Sequence, residues 1–388
     1  MATIKRRCSG GGTAMADGEA MIVRPGGAAA FGLTPVERLR RSLARAGLSE
    51  TATGEGAAMI LRGDHIYGAG VIEALRVAPP ASVLTDAEGR AVAARVDGES
   101  FVWARALLDA ATPARPDDHP ARPRDARLLT AAALAGRHDR KLRKRADPLL
   151  TPADDADRIE RLLFSAAYKG VTDIVTKRVW PAPALAATRW CARTAITPNQ
   201  VTWASAILAG LAFWLFWRGD FAAGLACAWA MTFLDTVDGK LARVTLSASR
   251  FGDVFDHGLD LIHPPFWWWA WIVGCAAAGA PVAHGGLALA IIVGGYVLQR
   301  GEEGLFLARF GIEMHVWRRF DSLFREVTAR RNPNLLILTA AALAGAPAWG
   351  AWAVAGWVAL SLLIHLARVA QAFAASRTGP VVSWLAAP

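Results

Sequence analysis

Hydrophobic and polar positions alternate on three different scales along this chain. Near the start the apolar groups are short. Pro35 to Ala46 spaces its apolar residues at helical intervals, with Glu37, Arg38, Arg40, Arg41 and Arg45 between them, and predicts an amphipathic helix. Ala57 to Leu61 is a short apolar run stopped by Arg62-Gly63-Asp64-His65, the pattern of a buried strand ending in a polar loop. Val71 to Leu75 predicts a second helix, and Ser82 to Thr85 and Ala91 to Val96 predict two strands around the turn Asp86-Ala87-Glu88-Gly89-Arg90. Together these predict a small α/β domain over 26–145, behind a Gly-rich basic tail over 1–25 that is expected to be disordered. Residues 113–125, rich in Pro, Asp and Arg, read as a surface loop, and Arg137 to Arg145 as a basic run.

Over 146–200 the period becomes that of an amphipathic helical linker. Asp154, Asp155 and Asp157 mark a helix start, and Trp180 and Trp190 among Arg and Lys suit a segment lying on a membrane surface. From 201 the apolar runs lengthen to about 201–217, 221–243, 252–278, 284–305, 334–349 and 351–373. Six such runs predict a mainly α fold: a six-helix transmembrane bundle over 201–376, preceded by a small cytoplasmic α/β domain and followed by a tail over 377–388. With residue 200 inside, six crossings put Arg243, Arg250, Arg300, Arg309, Arg318, Arg319, Arg325, Arg330, Arg331, Arg368 and Arg377 in the cytoplasm and only Arg218 outside. Both termini are then cytoplasmic, in a bacterial inner membrane. The start lacks the basic-then-apolar pattern of a signal peptide, so the first half is expected to stay on that side.

Composition sharpens this picture. The chain is 54% hydrophobic yet 20% charged, which suits a soluble part joined to a membrane part, and its 16 Trp against 3 Tyr suit bilayer interfaces. The net charge of +10 points to anionic lipid or phosphorylated substrates rather than nucleic acid, because the basic residues follow the loops of one membrane face. Cys8, Cys191, Cys227 and Cys275 form no CxxC pair and predict neither a disulfide framework nor a zinc site.

The second and third apolar runs carry Asp235, Asp238, Asp253, Asp256 and Asp260. Each carboxylate in a bilayer costs roughly 3 kcal/mol, so several left bare would cost on the order of 10 kcal/mol. Asp235 and Asp238 are three residues apart and Asp256 and Asp260 four apart, so each pair shares a helix face. On adjacent antiparallel helices these faces converge into an all-oxygen cage suited to hard divalent cations. Gly239, Ala242 and Gly252 leave room for a bulky anion, and Arg243 adds a positive charge, so the cluster is a site for a diphosphate.

Asp235-Thr236-Val237-Asp238-Gly239-Lys240-Leu241-Ala242-Arg243, followed by Gly252, Asp256 and Asp260, resembles the signature of the CDP-alcohol phosphotransferase family, with all eight fixed residues present across 26 positions. Thr197-Pro198-Asn199 is similar to that family's lead-in to its first span. The resemblance implies a homodimer of six-helix bundles with a polar cavity open to the cytoplasm. It implies a two-metal site for Mg²⁺ or Mn²⁺ held by Asp235, Asp238, Asp256 and Asp260, with Asp260 a ligand or the general base, or both in turn. Gly239, Ala242, Arg243 and Gly252 would cradle the nucleotide, and Asp253 would stand behind the ligands. The implied reaction moves a phospho-alcohol group from a CDP-alcohol, CDP-diacylglycerol or a CDP-polyol, to an acceptor alcohol, with release of CMP.

Arg330 and Arg331, just before the fifth run, are placed to bind the phosphate of an acceptor such as inositol phosphate or glycerol phosphate; Lys169, Lys177 and Arg178 are further candidates. His257 and His263 read as packing or hydrogen-bonding residues, and Trp267-Trp268-Trp269 with Trp271 as an interface belt. Leu33 to Leu39 and Leu61 to His65 resemble pieces of a sugar-phosphate nucleotidyltransferase, but Cys8 to Thr13 is a poor substitute for that family's phosphate loop. The first domain therefore reads as a degenerate relative with a regulatory, dimerising or docking role. Intramembrane carboxylates also occur in divalent-cation transporters, and an inactive membrane scaffold is a third reading; metal-dependent binding of CMP or CDP separates the enzyme from both.

Overall fold

The computed structural model describes residues 18–386 except 55, 135–137 and 147. The tail expected over 1–25 lies outside the described residues up to 17, and so does the segment Cys8 to Thr13. By its internal packing the chain divides into two units, one of 1–135 with 147–159, the other of 136–146 with 160–388.

The first unit is α/β. Its elements are β1 (Glu19–Val23), α1 (Pro35–Arg45), β2 (Ser49–Glu50), β3 (Ala57–Arg62), β4 (His65–Tyr67), α2 (Ala69–Arg76), β5 (Ser82–Thr85), β6 (Ala91–Arg95), α3 (Phe101–Leu108) and β7 (Arg127–Thr130). The sheet runs β2-β1-β3-β6-β5-β7, with β6 antiparallel to both neighbours and the remaining pairs parallel. Alternation sorts β3 between two cores. Met59 and Leu61 meet Leu39, Leu43 and Leu75 of α1 and α2, while Ile60 meets Trp103 and Leu107 of α3. β1 corrects the expected extent of the tail: Glu19 to Val23 is an inner strand of the sheet. So short a run after glycines has no signal of its own, and its partner β3 lies beyond α1.

The segment 138–145 corrects a second boundary. It forms a two-stranded hairpin, β8 (His138–Asp139) with β9 (Lys144–Arg145), that groups with the helical unit, whereas β10 (Leu150–Pro152) returns to pair with β4. Side-chain pattern cannot assign strands of two residues to either body.

The second unit is helical. After α4 (Ala156–Ala166), whose start belongs to the first unit, come a five-residue π-helical turn (Val175–Val179) and α5 (Pro181–Arg193). The long helices follow: α6 (Pro198–Arg218), α7 (Phe221–Val244), α8 (Arg250–Ala277) and α9 (Gly285–Phe310), then a short α10 (Arg319–Val327), α11 (Arg331–Leu343) and α12 (Pro347–Ala375). Thr197 starts α6 with a capping box closed by Gln200 and with Pro198 in the first turn. At the other end α6 crosses α8 so closely that a Cβ on Gly274 would lie 1.7 Å from the Phe216 carbonyl. Phe216, Met231, Trp267, Trp271, Leu335 and Val354 belong to the core.

Trp267, Trp268 and Trp271 are buried, with only Trp269 of that group exposed, which corrects the interface belt read from the sequence. Positions 267, 268 and 271 fall on one helix face, and the indole N–H groups of Trp267 and Trp271 donate to the Ala209 and Pro347 carbonyls at 2.9 Å. α8 continues through Pro264 and Pro265.

α6 and α12 are long and apolar enough to cross a membrane. α7, α8 and α9 each carry charges towards one end: Asp235 to Arg243, Arg250 to Asp260, and Arg300 to Arg309. α11 has 13 residues, about 20 Å of helix, short of the ~30 Å hydrocarbon core.

Candidate active site

The charged end of α7, the charged start of α8 and the start of α11 meet, bringing the four predicted carboxylates within electrostatic reach of one another. They fall into two pairs. Asp238 on α7 accepts from the Thr202 hydroxyl of α6 at 2.6 Å through Oδ2, while its Oδ1 and Asp256 Oδ1 on α8 are buried without a hydrogen-bond partner. Asp235 and Asp260 are instead bridged by Arg331 at the start of α11: Nη2 reaches Asp235 Oδ2 at 2.5 Å and Nη1 pairs with Asp260.

Two cavities open on these groups. The first, of about 270 Å³, is lined by Asp238 and Asp256 and by the four residues assigned to the nucleotide, Gly239, Ala242, Arg243 and Gly252. Its rim adds Asn199, Ser249 and Asp253. The two glycines are narrow points. A Cβ on Gly252 would stand 2.6 Å from Asn199 Oδ1, and one on Gly239 would stand 3.2 Å from an Arg243 guanidinium nitrogen. Gly252→Ala is therefore expected to raise the dissociation constant for CMP or CDP roughly 10- to 100-fold by displacing Asn199 into the cavity. Isothermal titration measures this; unchanged binding would mean that the nucleotide does not lie against Gly252.

The second cavity, of about 420 Å³, is lined by Asp260, Tyr296, Asn332, Asp173 and six cations: Arg143, Lys169, Arg300, Arg325, Arg330 and Arg331. Arg330 is paired with Glu303, which also meets His315 Nε2 at 3.2 Å. Burial opposes ionisation of Asp173. The nearby Arg325 charge and hydrogen bonds from the Thr176 and Asn332 side chains nonetheless hold its carboxyl below the usual range. Arg143, Lys169 and His257 line both cavities. Burial, and the charges of Arg143 and Arg243, push the Lys169 ammonium below the ordinary lysine range.

Other predicted residues are occupied elsewhere. Lys177 and Arg178 pair with Glu326, away from both cavities. His263 is buried on Trp267 with its Nδ1 at 2.7 Å from the Leu259 carbonyl, and His257 makes the same contact with the Asp253 carbonyl. In the α/β unit Asp64 is held by Arg62 and by His65. Thr202, Arg143, Arg300, Arg325 and Asp173 were not singled out from the sequence as site residues. Arg300 and Arg325 carried only the general signal of basic loops, and Arg143 that of a basic run.

The residues fit a hard divalent cation. The donors are carboxylate oxygens only, and two of them are buried and unpartnered. Among the described residues no three such side chains already stand in ligating positions, because Asp235 and Asp260 are turned onto Arg331.

Residues 195–365 match a family model described as CDP-alcohol phosphatidyltransferase. Among solved structures, the chain is similar to the manganese- and citrate-bound phosphatidylinositol phosphate synthase of Mycobacterium tuberculosis, at 21% identity and a TM-score of 0.38, over 48% of this chain and 88% of that one. No curated protein matches.

Proposed function

Residues 195–365 being a CDP-alcohol phosphatidyltransferase domain, we propose that the protein is an integral-membrane transferase that moves a phosphatidyl or related phospho-alcohol group from a CDP-alcohol to a phosphorylated polyol, releasing CMP. One observation carries this reading. Two adjoining cavities share Arg143, Lys169 and His257; one presents the nucleotide cradle and two carboxylates that each keep a buried, unpartnered oxygen, the other six cations and Asp260. A donor and an anionic acceptor would lie on either side of the same cluster.

In this reading Asp235, Asp238, Asp256 and Asp260 would hold Mg²⁺ or Mn²⁺, which would supply charge neutralisation at the donor diphosphate and at the departing CMP. Gly239 and Gly252 admit the nucleotide, and Arg243 binds its phosphate. Arg330 orients the acceptor phosphate, and Arg331, here engaged by Asp235 and Asp260, would join it when free of them. Asp260 faces the acceptor cavity, so it is the carboxylate placed to take the acceptor hydroxyl's proton. The lipid setting is supported by α6, which turns Trp203, Ile207, Leu211 and Trp214 outward at helical intervals while burying Thr202 and Ser205.

The test is CMP release by the purified protein in detergent from CDP-diacylglycerol with Mn²⁺ or Mg²⁺, one acceptor at a time. Inositol phosphate or glycerol phosphate should support turnover, free inositol or glycerol should not, and EDTA should abolish it. Equal rates with the unphosphorylated polyols would remove the role given to the basic cavity. Absence of both release and CMP binding would remove the transferase reading altogether.

A further inference from the structure

The segment Ala167-Tyr168-Lys169-Gly170 precedes the matched domain in sequence, yet its Lys169 lines both cavities. Three of its four residues are fastened. The Ala167 carbonyl accepts from Arg243 Nε at 3.0 Å, and the Tyr168 ring lies 3.8 Å from Lys240 Nζ. The Gly170 N–H donates to the Leu142 carbonyl of the β8–β9 hairpin at 2.8 Å. Gly170 lies so close to that hairpin that a Cβ would stand 2.7 Å from Lys144 Cβ and 2.8 Å from the Arg143 carbonyl. Within the segment the Tyr168 hydroxyl is buried without a hydrogen-bond partner, and the Lys169 ammonium has neither a hydrogen-bond nor an ion-pair partner among the described residues.

Of the three residues common to both cavities, Arg143 pairs with Glu313, and His257 Nδ1 contacts the Asp253 carbonyl. Arg330 and Arg331 are each engaged by a carboxylate. Lys169 is thus a cation at the junction with no ion-pair partner among the described residues, within electrostatic reach of Asp235 and Asp260. We propose that Lys169, supplied from outside the family's domain, binds the phosphoryl group in transit between the two cavities and is a catalytic residue of the transfer.

This inference rests on the transferase reading. In the transfer, the acceptor oxygen forms a bond to the donor phosphorus and its proton passes to Asp260. The bond from that phosphorus to CMP breaks, with the electron pair staying on CMP. Negative charge on the non-bridging oxygens moves across the junction as this happens. A lysine ammonium is a compact point charge with three donors on a flexible stem, so it can follow that displacement where a guanidinium already held in a fork cannot. A cation that follows the moving group stabilises the transition state more than either bound ground state, so its loss appears in kcat rather than in KM.

The experiment compares wild type with Lys169→Ala and Lys169→Gln by steady-state CMP release, CMP titration and thermal unfolding. The expected result is a kcat lower by about 100- to 1,000-fold, with CMP affinity and acceptor KM within about threefold of wild type. Methylammonium should restore part of the lost rate in Lys169→Ala. A kcat within threefold of wild type in either folded variant would overturn the proposal. So would loss of CMP or acceptor binding with kcat retained, because Lys169 would then serve only to bind one substrate. If Lys169→Ala does not fold, Lys169→Gln carries the same comparison. Wild-type protein that releases no CMP would overturn the transferase reading itself, a failure distinct from that of Lys169.

Discussion

Asp256→Asn is expected to abolish metal-dependent CMP release and, without metal, to make the protein more stable. The two effects have one cause. Asp256 Oδ1 is buried with no hydrogen-bond partner and faces the charges of Asp235, Asp238 and Asp260. A carboxylate with a buried, unpartnered oxygen among like charges weakens the fold, and an amide there relieves the repulsion. Roughly 1 kcal/mol of relief raises the Tm by about 2–4 °C for a unit of this size. In the working enzyme the same oxygen is assigned to the cation. Losing a ligand forfeits several kcal/mol of charge stabilisation at the departing CMP, or about a thousandfold in turnover. Thermal unfolding with and without Mn²⁺, alongside the CMP assay, reads both signs. A variant with wild-type turnover, or with an undiminished Mn²⁺-induced rise in Tm, would remove Asp256 from the metal site.

Arg331→Gln is expected to split the same two properties the other way. Arg331 holds Asp235 and Asp260 together, with its pair to Asp235 mostly buried and Asp260 half-exposed. Breaking a buried ion pair from one side costs about 3–5 kcal/mol because a charge is left behind, so metal-free Arg331→Gln should unfold at lower temperature. The guanidinium also competes with any cation for those carboxylates. Its removal should therefore tighten Mn²⁺ binding by roughly tenfold, even as turnover with a phosphorylated acceptor falls on the order of a hundredfold from the lost phosphate contact. Mn²⁺ titration separates this from a simple ligand role: weaker Mn²⁺ binding by the variant would show that Arg331 supports the metal site rather than opposing it.

Much of this arrangement was legible in the sequence because it is local. The spacing within Asp235 to Asp260 fixes which carboxylates share a helix face, and the eight-residue signature sits on the segments of α7 and α8 that line the first cavity. Most helix boundaries followed the apolar runs for the same reason, but the last two runs, expected over 334–349 and 351–373, part instead at 344–346, where Pro347 starts α12. The cationic second cavity was only half legible. Arg330 and Arg331 stood out by their position before α11, with Lys169 a further candidate, but Arg143, Arg300 and Arg325 arrive from three separate places in the chain. Nothing in their spacing distinguishes them from membrane-anchoring charges. The pairing of Arg331 with Asp235 and Asp260 was equally hidden, since the partners lie 96 and 71 residues away. The inward turn of Trp267 and Trp271 shows a related limit: an aromatic run looks the same at a lipid interface and at a helix crossing until the neighbouring carbonyls of Ala209 and Pro347 are known.

The β8–β9 hairpin has a consequence for how this gene can be recombined. The chain leaves the α/β unit at about residue 136, contributes the hairpin to the helical unit, returns for β10, and leaves again within α4. The two bodies are interleaved, so no single crossover separates them. A chimera joined at residue 195, where the family match begins, would combine one parent's Arg143 and Lys169 with the other parent's cavities. A chimera joined at residue 147 would leave the hairpin, and with it Arg143, to the first parent. Exchange of intact modules requires two junctions around the hairpin and a third at the start of the helical unit, so a single-junction exchange carries neither body over intact.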